Sequence, residues 1–366
     1  MRLLVWQWGR RGAGPRYATE LAAALREQPD TQTILSLSAQ AEILATGDVA
    51  GPVLPYRTYD GVRSLLRRLP TVALELAPLA ARLRGLALDA AVCAMPAYLD
   101  ALMVGALRRA GVPFVTVVHD ADPHPGDSRP FEMALQRRLV RRSAAVVTLS
   151  DHVAARLRAQ GVAGIPGTPP LFRTAHPPLA FGQPPAPPGA HGDGVLRLLS
   201  FGRLLPYKGL DLLADAMRLL GPRADLVLRV VGQGPETTWL DTLRRLPGVT
   251  VENRWVPEIE VGHLLGWSDA VVLSHREASQ SGVAAAGLAA GRHVIATDVG
   301  GLREQLAAEP LARLCPPTAE GLAAAIRALL AGRTGGVPRA PDPSAAWKNA
   351  AAGLIRDLNA VLAARP

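Results

Sequence analysis

The stretch "FGRLLPYKGLDLL" (201–213) leaves a strand through Gly202 and presents Arg203 and Lys208 before a helix begins near Gly209. Two fixed cations at a strand-to-helix turn suit an anionic group, most naturally a diphosphate, although a pair of solvated loop charges has the same spacing. Lys208 is conspicuous by composition: it and Lys348 are the two lysines, so 38 of the 40 basic residues are arginine. Further on, "HREASQSGVAAAGLAAGRHVIATDVGG" (275–301) holds one acid, Glu277, and the twenty residues after it contain no other. A helix starting near Gly282 would offer free N–H groups to a phosphate or sugar oxygen. Gln280 and Ser281 are the polar side chains nearest that start, and small residues from Val283 to Gly291 let the helix pack close to a sheet.

Three other segments have chemical potential. "VVHDADPHPGD" (117–127) places His119, Asp120, Asp122, His124 and Asp127 after a strand, five possible metal ligands in nine residues. Its two prolines impose an extended loop that scatters them, and Arg203 with Lys208 already offers the charge a metal would supply. The expectation is therefore no metal, and a single functional His119 at the strand end. "VVGQGPE" (230–236) runs a strand into a turn at Gly232, a weak signal on its own. "GRRGAGPRYATELAAAL" (9–25) has Gly9, Gly12 and Gly14 ahead of a helix and could bring main-chain N–H groups to phosphate oxygens. It lacks the GxGxxG spacing, and no acid lies near residue 34, which argues against a nicotinamide dinucleotide.

The elements that must position these residues read as two βαβ series. Strand-like runs fall at 2–8, 31–38, 88–95, 113–120 and 144–150, with Ser150 as an N-cap and Gly161 as a stop for the helix between them. After a Pro/Gly-rich stretch the rhythm restarts, with strands at 195–203, 225–232, 249–255, 269–275, 293–297 and 312–316. Helices are expected at about 209–220, 235–245, 258–266, 282–290, 301–308 and 318–331, and a last one from Ser344 to about Ala363. The domains are thus 1–176, a linker at 177–194, 195–342, and a closing helix within 343–366. Ligands of such sheets bind outside the carboxyl ends of strands, so two such domains would enclose a cleft lined by the residues above.

Length and composition agree. A chain of 366 residues, 49% of them hydrophobic, suits two cores of roughly 170 residues each. Cys93 and Cys315 sit far apart in apolar runs, which suggests buried thiols rather than a disulfide or zinc site. No run of about 18 apolar residues exists and the N-terminus lacks a signal-peptide core, so the expectation is a cytoplasmic protein. Of the net charge of +9, seven lie in residues 1–190, which hold 21 Arg, no Lys and 14 acids. That excess fits an anionic partner or a GC-rich genome equally; the few aromatics are not interleaved with it, which argues against nucleic acid.

In this order, the Gly-rich loop, "VHD", "VVTLSDHVAARL", "SFGRLLPYKGLDLLADA", "VVGQGPE", "DAVVLSHREASQSG" and "VIATDVGGLREQL" resemble the retaining glycosyltransferases of family 4 over nearly the whole chain. The resemblance implies an α/β protein of GT-B architecture: two doubly wound Rossmann-like domains facing a cleft, with the closing helix, carrying Trp347, returning to the N-terminal domain. It implies a nucleotide-sugar donor on the C-terminal domain, an acceptor on the N-terminal domain, and no cofactor or metal. Arg203 and Lys208 match the family's diphosphate-binding pair, and His119 a histidine near the donor sugar. Gly12 and Gly14 match the loop that approaches the diphosphate, and Gly202 and Gly232 turns beside it. Trp255 and Val256 match the stretch that contacts the base. Gln280, Ser281, Gly282 and Val283 match the start of the donor-binding helix. Glu277 matches the first acid of a Glu-x7-Glu motif, whose second acid, which holds the ribose, is missing: counting eight onward reaches Ala285, and aligning on Gly291 reaches Ala286. A GT-B epimerase would need more acids around 277–297, and a catalytically silent sugar-nucleotide-binding module remains an alternative.

For the acceptor, a glycan or lipid-linked molecule in polysaccharide or glycolipid assembly is implied. Residues 57–89 set Arg63, Arg67 and Arg68 beside Leu65, Leu66 and Leu69, a pattern that suits either peripheral contact with an anionic membrane or a surface helix packed on its own domain. "QRRLVRR" (136–142) would place Arg137, Arg138, Arg141 and Arg142 on one helical face.

Overall fold

The structure, a computed structural model, describes residues 1–127, 130–182, 188, 191–332 and 342–364. It divides into two compact units, one comprising Met1–Pro123, Arg129–Ala175 and Ser344–Pro366, the other His124–Ser128 and His176–Pro343. The short segment His124–Ser128, which the sequence reading leaves in the N-terminal domain, therefore groups with the second unit.

The first unit alternates β1 (Arg2–Gln7), α1 (Ala13–Arg26), β2 (Gln32–Leu37), α2 (Val62–Arg68), α3 (Val72–Gly85), β3 (Ala90–Cys93), α4 (Asp100–Ala110), β4 (Phe114–Val118), α5 (Pro130–Val140), β5 (Ala145–Thr148), α6 (Asp151–Ala159) and β6 (Leu171–Arg173). Its parallel sheet runs in the order β2-β1-β3-β4-β5-β6. Beyond β2, parallel bridges Leu35–Val53 and Ser38–Tyr56 stand where a further strand would lie. Ser150 caps α6 by accepting from Val153 N–H at 3.2 Å. The expected basic face at 136–142 forms in part: α5 ends at Val140, Arg141 N–H still donates to Arg137 O at 3.1 Å as the last helical bond, and Arg142 lies in the turn beyond.

The second unit contains β7 (Leu196–Phe201), α7 (Leu210–Leu220), β8 (Leu226–Gly232), α8 (Thr238–Arg244), β9 (Val249–Asn253), α9 (Glu258–Trp267), β10 (Ala270–Leu273), α10 (Gly282–Ala289), β11 (His293–Thr297), α11 (Leu302–Leu306), β12 (Ala312–Cys315) and α12 (Ala319–Ala331). Its sheet order, β12-β11-β10-β7-β8-β9, is the doubly wound one, reversing direction between β7 and β10. Alternate residues feed two cores. Leu198, Val230 and Val272 join one with α7 and α12, while Leu199, Val231 and Val271 join another with α9 and α10. Strands covered on both faces explain the continuous apolar runs in the sequence.

The last helix, α13 (Pro343–Ala363), belongs almost wholly to the first unit. Its Trp347 packs against Tyr17 with ring centroids 5.2 Å apart, and Lys348 Nζ lies 3.1 Å from Glu27. Of the Pro/Gly stretches, residues 183–187, 189–190 and 333–341 lie outside the described residues. The described start of the linker does not hang free: Leu179 is buried and its N–H donates to Ala285 O at 3.1 Å.

Candidate functional site

At the switch point of the second unit β7 and β10 lie side by side with their carboxyl ends together, the position where doubly wound sheets bind ligands. A small pocket there is lined by Ser200, Arg203, Lys208, Ser274 and His275, among others. Gly202 turns the chain out of β7. A Cβ on Gly232, at the end of β8, would lie 1.6 Å from the Gly202 carbonyl oxygen, so this approach of two strand ends requires glycine.

Tyr207 organises the two cations. Arg203 Nη2 donates to its hydroxyl at 3.1 Å, and the Arg203 guanidinium and Lys208 Nζ lie 5.6 and 5.0 Å from its ring centroid. The turn is pinned by Ser274 Oγ donating to Lys208 O and Arg276 N–H donating to Tyr207 O, each at 2.8 Å. Lys208 Nζ donates to His275 Nε2 at 2.8 Å. His275 is buried, and burial, then the charges of Lys208 and His124, push its pKa well below the ordinary 6.5. It is therefore neutral near pH 7 and serves as an acceptor that aims the ammonium.

Glu277, partly exposed on the loop after β10, has Oε1 3.6 Å from His124 Nδ1. His124 stacks on Tyr207 at 4.3 Å, and Asp127 pairs with Arg203. At the start of α10, Ser281 Oγ accepts from Ala284 N–H at 3.2 Å, and Gln305 clamps both sides of the Ser281 backbone at 2.8 and 3.0 Å. Val283 Cγ2 approaches within 3.6 Å of where a Gly202 Cβ would be. Gly287 presses α10 onto the sheet, since a Cβ there would stand 2.7 Å from Val271 Cγ2. Ala285 and Ala286 are each 1% exposed, so a carboxylate at either place would be buried under the helix. Gln280 Oε1 is buried without a hydrogen-bond partner among the described residues. Trp255 and Val256 follow β9, and Val256 joins the apolar cluster that holds Val231 and Leu273.

The remaining expected residues belong to the first unit. Gly12 (φ 80°) stands at the N-terminus of α1, and a Cβ on Gly14 would meet Gln7 Nε2 at 2.9 Å and Met95 Sδ at 3.0 Å. His119 is buried after β4, edge-on to Tyr17, with Nε2 2.9 Å from Ala94 O. A carbonyl only accepts, so Nε2 carries the proton and Nδ1 is the acceptor nitrogen of the neutral ring. Burial lowers its pKa, which keeps it neutral. Between β1 and β3 sits a residue the sequence reading missed: Asp100 accepts from Trp6 Nε1 at 3.0 Å and from Ala97 N–H at 2.7 Å, and burial pushes its carboxyl up to about 7.

The five potential ligands of 119–127 take separate partners. Asp122 accepts from Arg156 and Gln160, each at 2.7 Å, while His124 and Asp127 turn to Tyr207 and Arg203. Among the described residues no group of three His, Cys, Asp or Glu side chains is placed to hold a metal. Tyr207 and His275 were also missed as site residues. Their one signal in the sequence is adjacency, Tyr207 before Lys208 and His275 two residues before Glu277.

Two doubly wound parallel sheets on one chain, with a cation pair at a switch point, define the GT-B class. Residues 14–166 match the family Glycosyltransferase Family 4, and residues 196–332 match Glycosyl transferases group 1. The chain belongs to the GT-B glycosyltransferases of the family 4 type. Among curated relatives, glycogen synthase of Mycobacterium tuberculosis is 31% identical over 168 residues, 44% of this chain and 38% of that enzyme, so the chain spans well under half of the relative's length. Among solved structures, HepE of Anabaena in complex with UDP and glucose superposes with a TM-score of 0.67 at 16% identity, covering 99% of this chain and 98% of that one. Sucrose-phosphate synthase of Thermosynechococcus elongatus gives 0.62 at 16% identity, covering 99% and 94%. At these identities both likenesses speak for the fold.

Proposed function

We propose that the protein transfers a sugar, with retention of configuration and without a metal or other cofactor, from a nucleoside-diphosphate sugar to an acceptor hydroxyl. The observation that carries this reading is the arrangement of Arg203 and Lys208 around Tyr207 at the β7/β10 switch point. As the bond from the anomeric carbon to the phosphate oxygen breaks, negative charge gathers on the leaving diphosphate. Two preorganised cations stabilise that charge more than they stabilise the donor. The acceptor hydroxyl attacks the anomeric carbon from the face the phosphate leaves, and its proton passes to the departing phosphate, so no protein nucleophile is needed. Glu277 accepts hydrogen bonds from donor-sugar hydroxyls, and His119 contacts the sugar. Gly12 and Gly14 approach the diphosphate, and Trp255 and Val256 flank the base.

Gln280 takes the place of the missing second acid. Its buried, unsatisfied carbonyl oxygen is an acceptor suited to a ribose hydroxyl. UDP-sugars are the first donors to test, because HepE was solved with UDP and glucose. A thermal-shift screen of nucleoside diphosphates and their sugars tests the site: a diphosphate raises the melting temperature, and Arg203→Ala or Lys208→Ala abolishes most of the rise. An unchanged shift in both variants sinks the assignment.

The acceptor is a glycan or a lipid-linked molecule in polysaccharide or glycolipid assembly, reached at the inner face of the cytoplasmic membrane. Support for contact with an anionic bilayer comes from α2 and the turn after it, where Val62, Leu66 and Leu69 are exposed beside exposed Arg63 and Arg67. Among the described residues no helix is long and apolar enough to cross a membrane. Flotation with anionic vesicles is expected to carry the protein upward at low salt and to lose it at high salt. Binding indifferent to salt removes the electrostatic account.

A further inference from the structure

The segment after His119 holds an anion of its own against the second unit. His124–Ser128 groups with that unit, although the chain on both sides of it belongs to the first. It is seated at three places. His124 stacks flat on Tyr207, with centroids 4.3 Å and planes 13° apart, and its Nδ1 lies 3.6 Å from Glu277. Gly126, in the left-handed region at φ 82°, lies so close to Pro206 that a Cβ would stand 2.4 Å from Pro206 Cδ. Asp127, whose N–H closes a turn onto His124 O at 2.8 Å, sends its carboxylate to Arg203. The Asp127 side chain is 16% exposed and that of Arg203 38%, so the pair is shielded on the acid's side.

We propose that Asp127 is a built-in counter-ion of the donor site, which a donor diphosphate must displace from Arg203 in order to bind. The proposal rests on the reading of Arg203 as a diphosphate ligand. A carboxylate and a phosphate present the same thing to a guanidinium, a pair of anionic oxygens matched to its fork of donors. While the segment is seated Arg203 keeps an anion, and monovalent anions face a competitor of equal charge. A diphosphate carries more charge than one carboxylate and also meets Lys208, so it wins the exchange. The seated segment also covers Tyr207 and sets His124 beside the part-exposed Glu277, which means that releasing Asp127 frees the His124 side of that acid in the same movement. Donor affinity is then reduced by the fraction of time the segment is seated.

Two variants loosen the seat by different routes. Asp127→Asn keeps the shape and removes the charge. Gly126→Ala keeps the charge and drives a methyl group into Pro206. Titration calorimetry with inorganic pyrophosphate and with UDP is expected to give a dissociation constant roughly fivefold lower for both variants than for the unaltered protein, equivalent to a segment seated about four-fifths of the time. Circular dichroism establishes that each variant is folded. Unchanged or weaker binding in both, with binding still lost in Arg203→Ala, overturns the counter-ion proposal and leaves the donor site standing. If neither anion binds the unaltered protein and Arg203→Ala changes nothing, the donor-site reading falls and the proposal falls with it.

Discussion

At the switch point of the second unit the strands end in Arg203, Lys208 and Glu277, side chains that keep part of their surface in water. At the corresponding place in the first unit β1 and β3 end around Asp100, which is 3% exposed and wrapped by Trp6, Cys93 and the Ala97 N–H. The same sheet plan thus yields one terminus that presents part-exposed charges and another that is filled by the protein itself. An exposed cation pair responds to ionic strength, because its field is screened within about 8–10 Å. A buried lone carboxyl responds to pH, because desolvation penalises only its charged form.

The strongest way to break the contrast is at Arg203. Arg203→Ala is expected to lower the turnover of sugar transfer about 10²–10³-fold, measured with the donor that gives the largest thermal shift. A loss under tenfold would mean that the second unit's cations do not stabilise the leaving group. Next comes Asp100. Its folded-state pKa, raised by burial from the ordinary 3.8 to about 7, means that the folded protein holds a proton the unfolded chain has released between those values. Stability contributed at low pH is therefore lost as pH rises from about 4 to 7, by up to about 4 kcal/mol. Hydrogen exchange at β1 and α4 amides should show this slope, and Asp100→Asn should flatten it while leaving α7 and α12 unaffected. A slope that persists in the variant assigns it to another group. The smallest effect is expected at Gln280: Gln280→Ala should raise the donor KM about fivefold with little change in kcat, since it removes uniform binding to the ribose. A fall in kcat alone would place Gln280 at the reacting end of the donor instead.

Strands buried on both faces write themselves as apolar runs, and β1–β5, β7, β8, β10 and β11 are legible that way, while the part-exposed β9 and β12 are legible from the βαβ rhythm around them. β6 was not, because Leu171–Arg173 is only three residues long and leaves all of them part-exposed. The basic stretch 57–89 resolved into α2 and α3 where amphipathic period alone could not place the break. Arg203, Lys208 and Glu277 were readable because a charge just after an apolar run marks a strand end. The partners of those charges were not. Asp127 lies 76 residues before Arg203, and a pairing of that separation leaves no trace in local spacing. His124 and Asp127 drew notice as metal ligands for their chemistry, whereas what fixes them is the shape of Pro206 and the face of Tyr207.

The packing of Trp347 on Tyr17 also sets an order of events during synthesis. Every residue of the second unit has been made by residue 343, but the first unit lacks the covering for Tyr17 until the chain reaches α13. At about 5–20 residues per second, the interval from residue 175 to residue 363 is on the order of 10–40 s. The half of the molecule that is translated first is thus the last to be completed, and during that interval Tyr17 lacks the indole ring that packs on it.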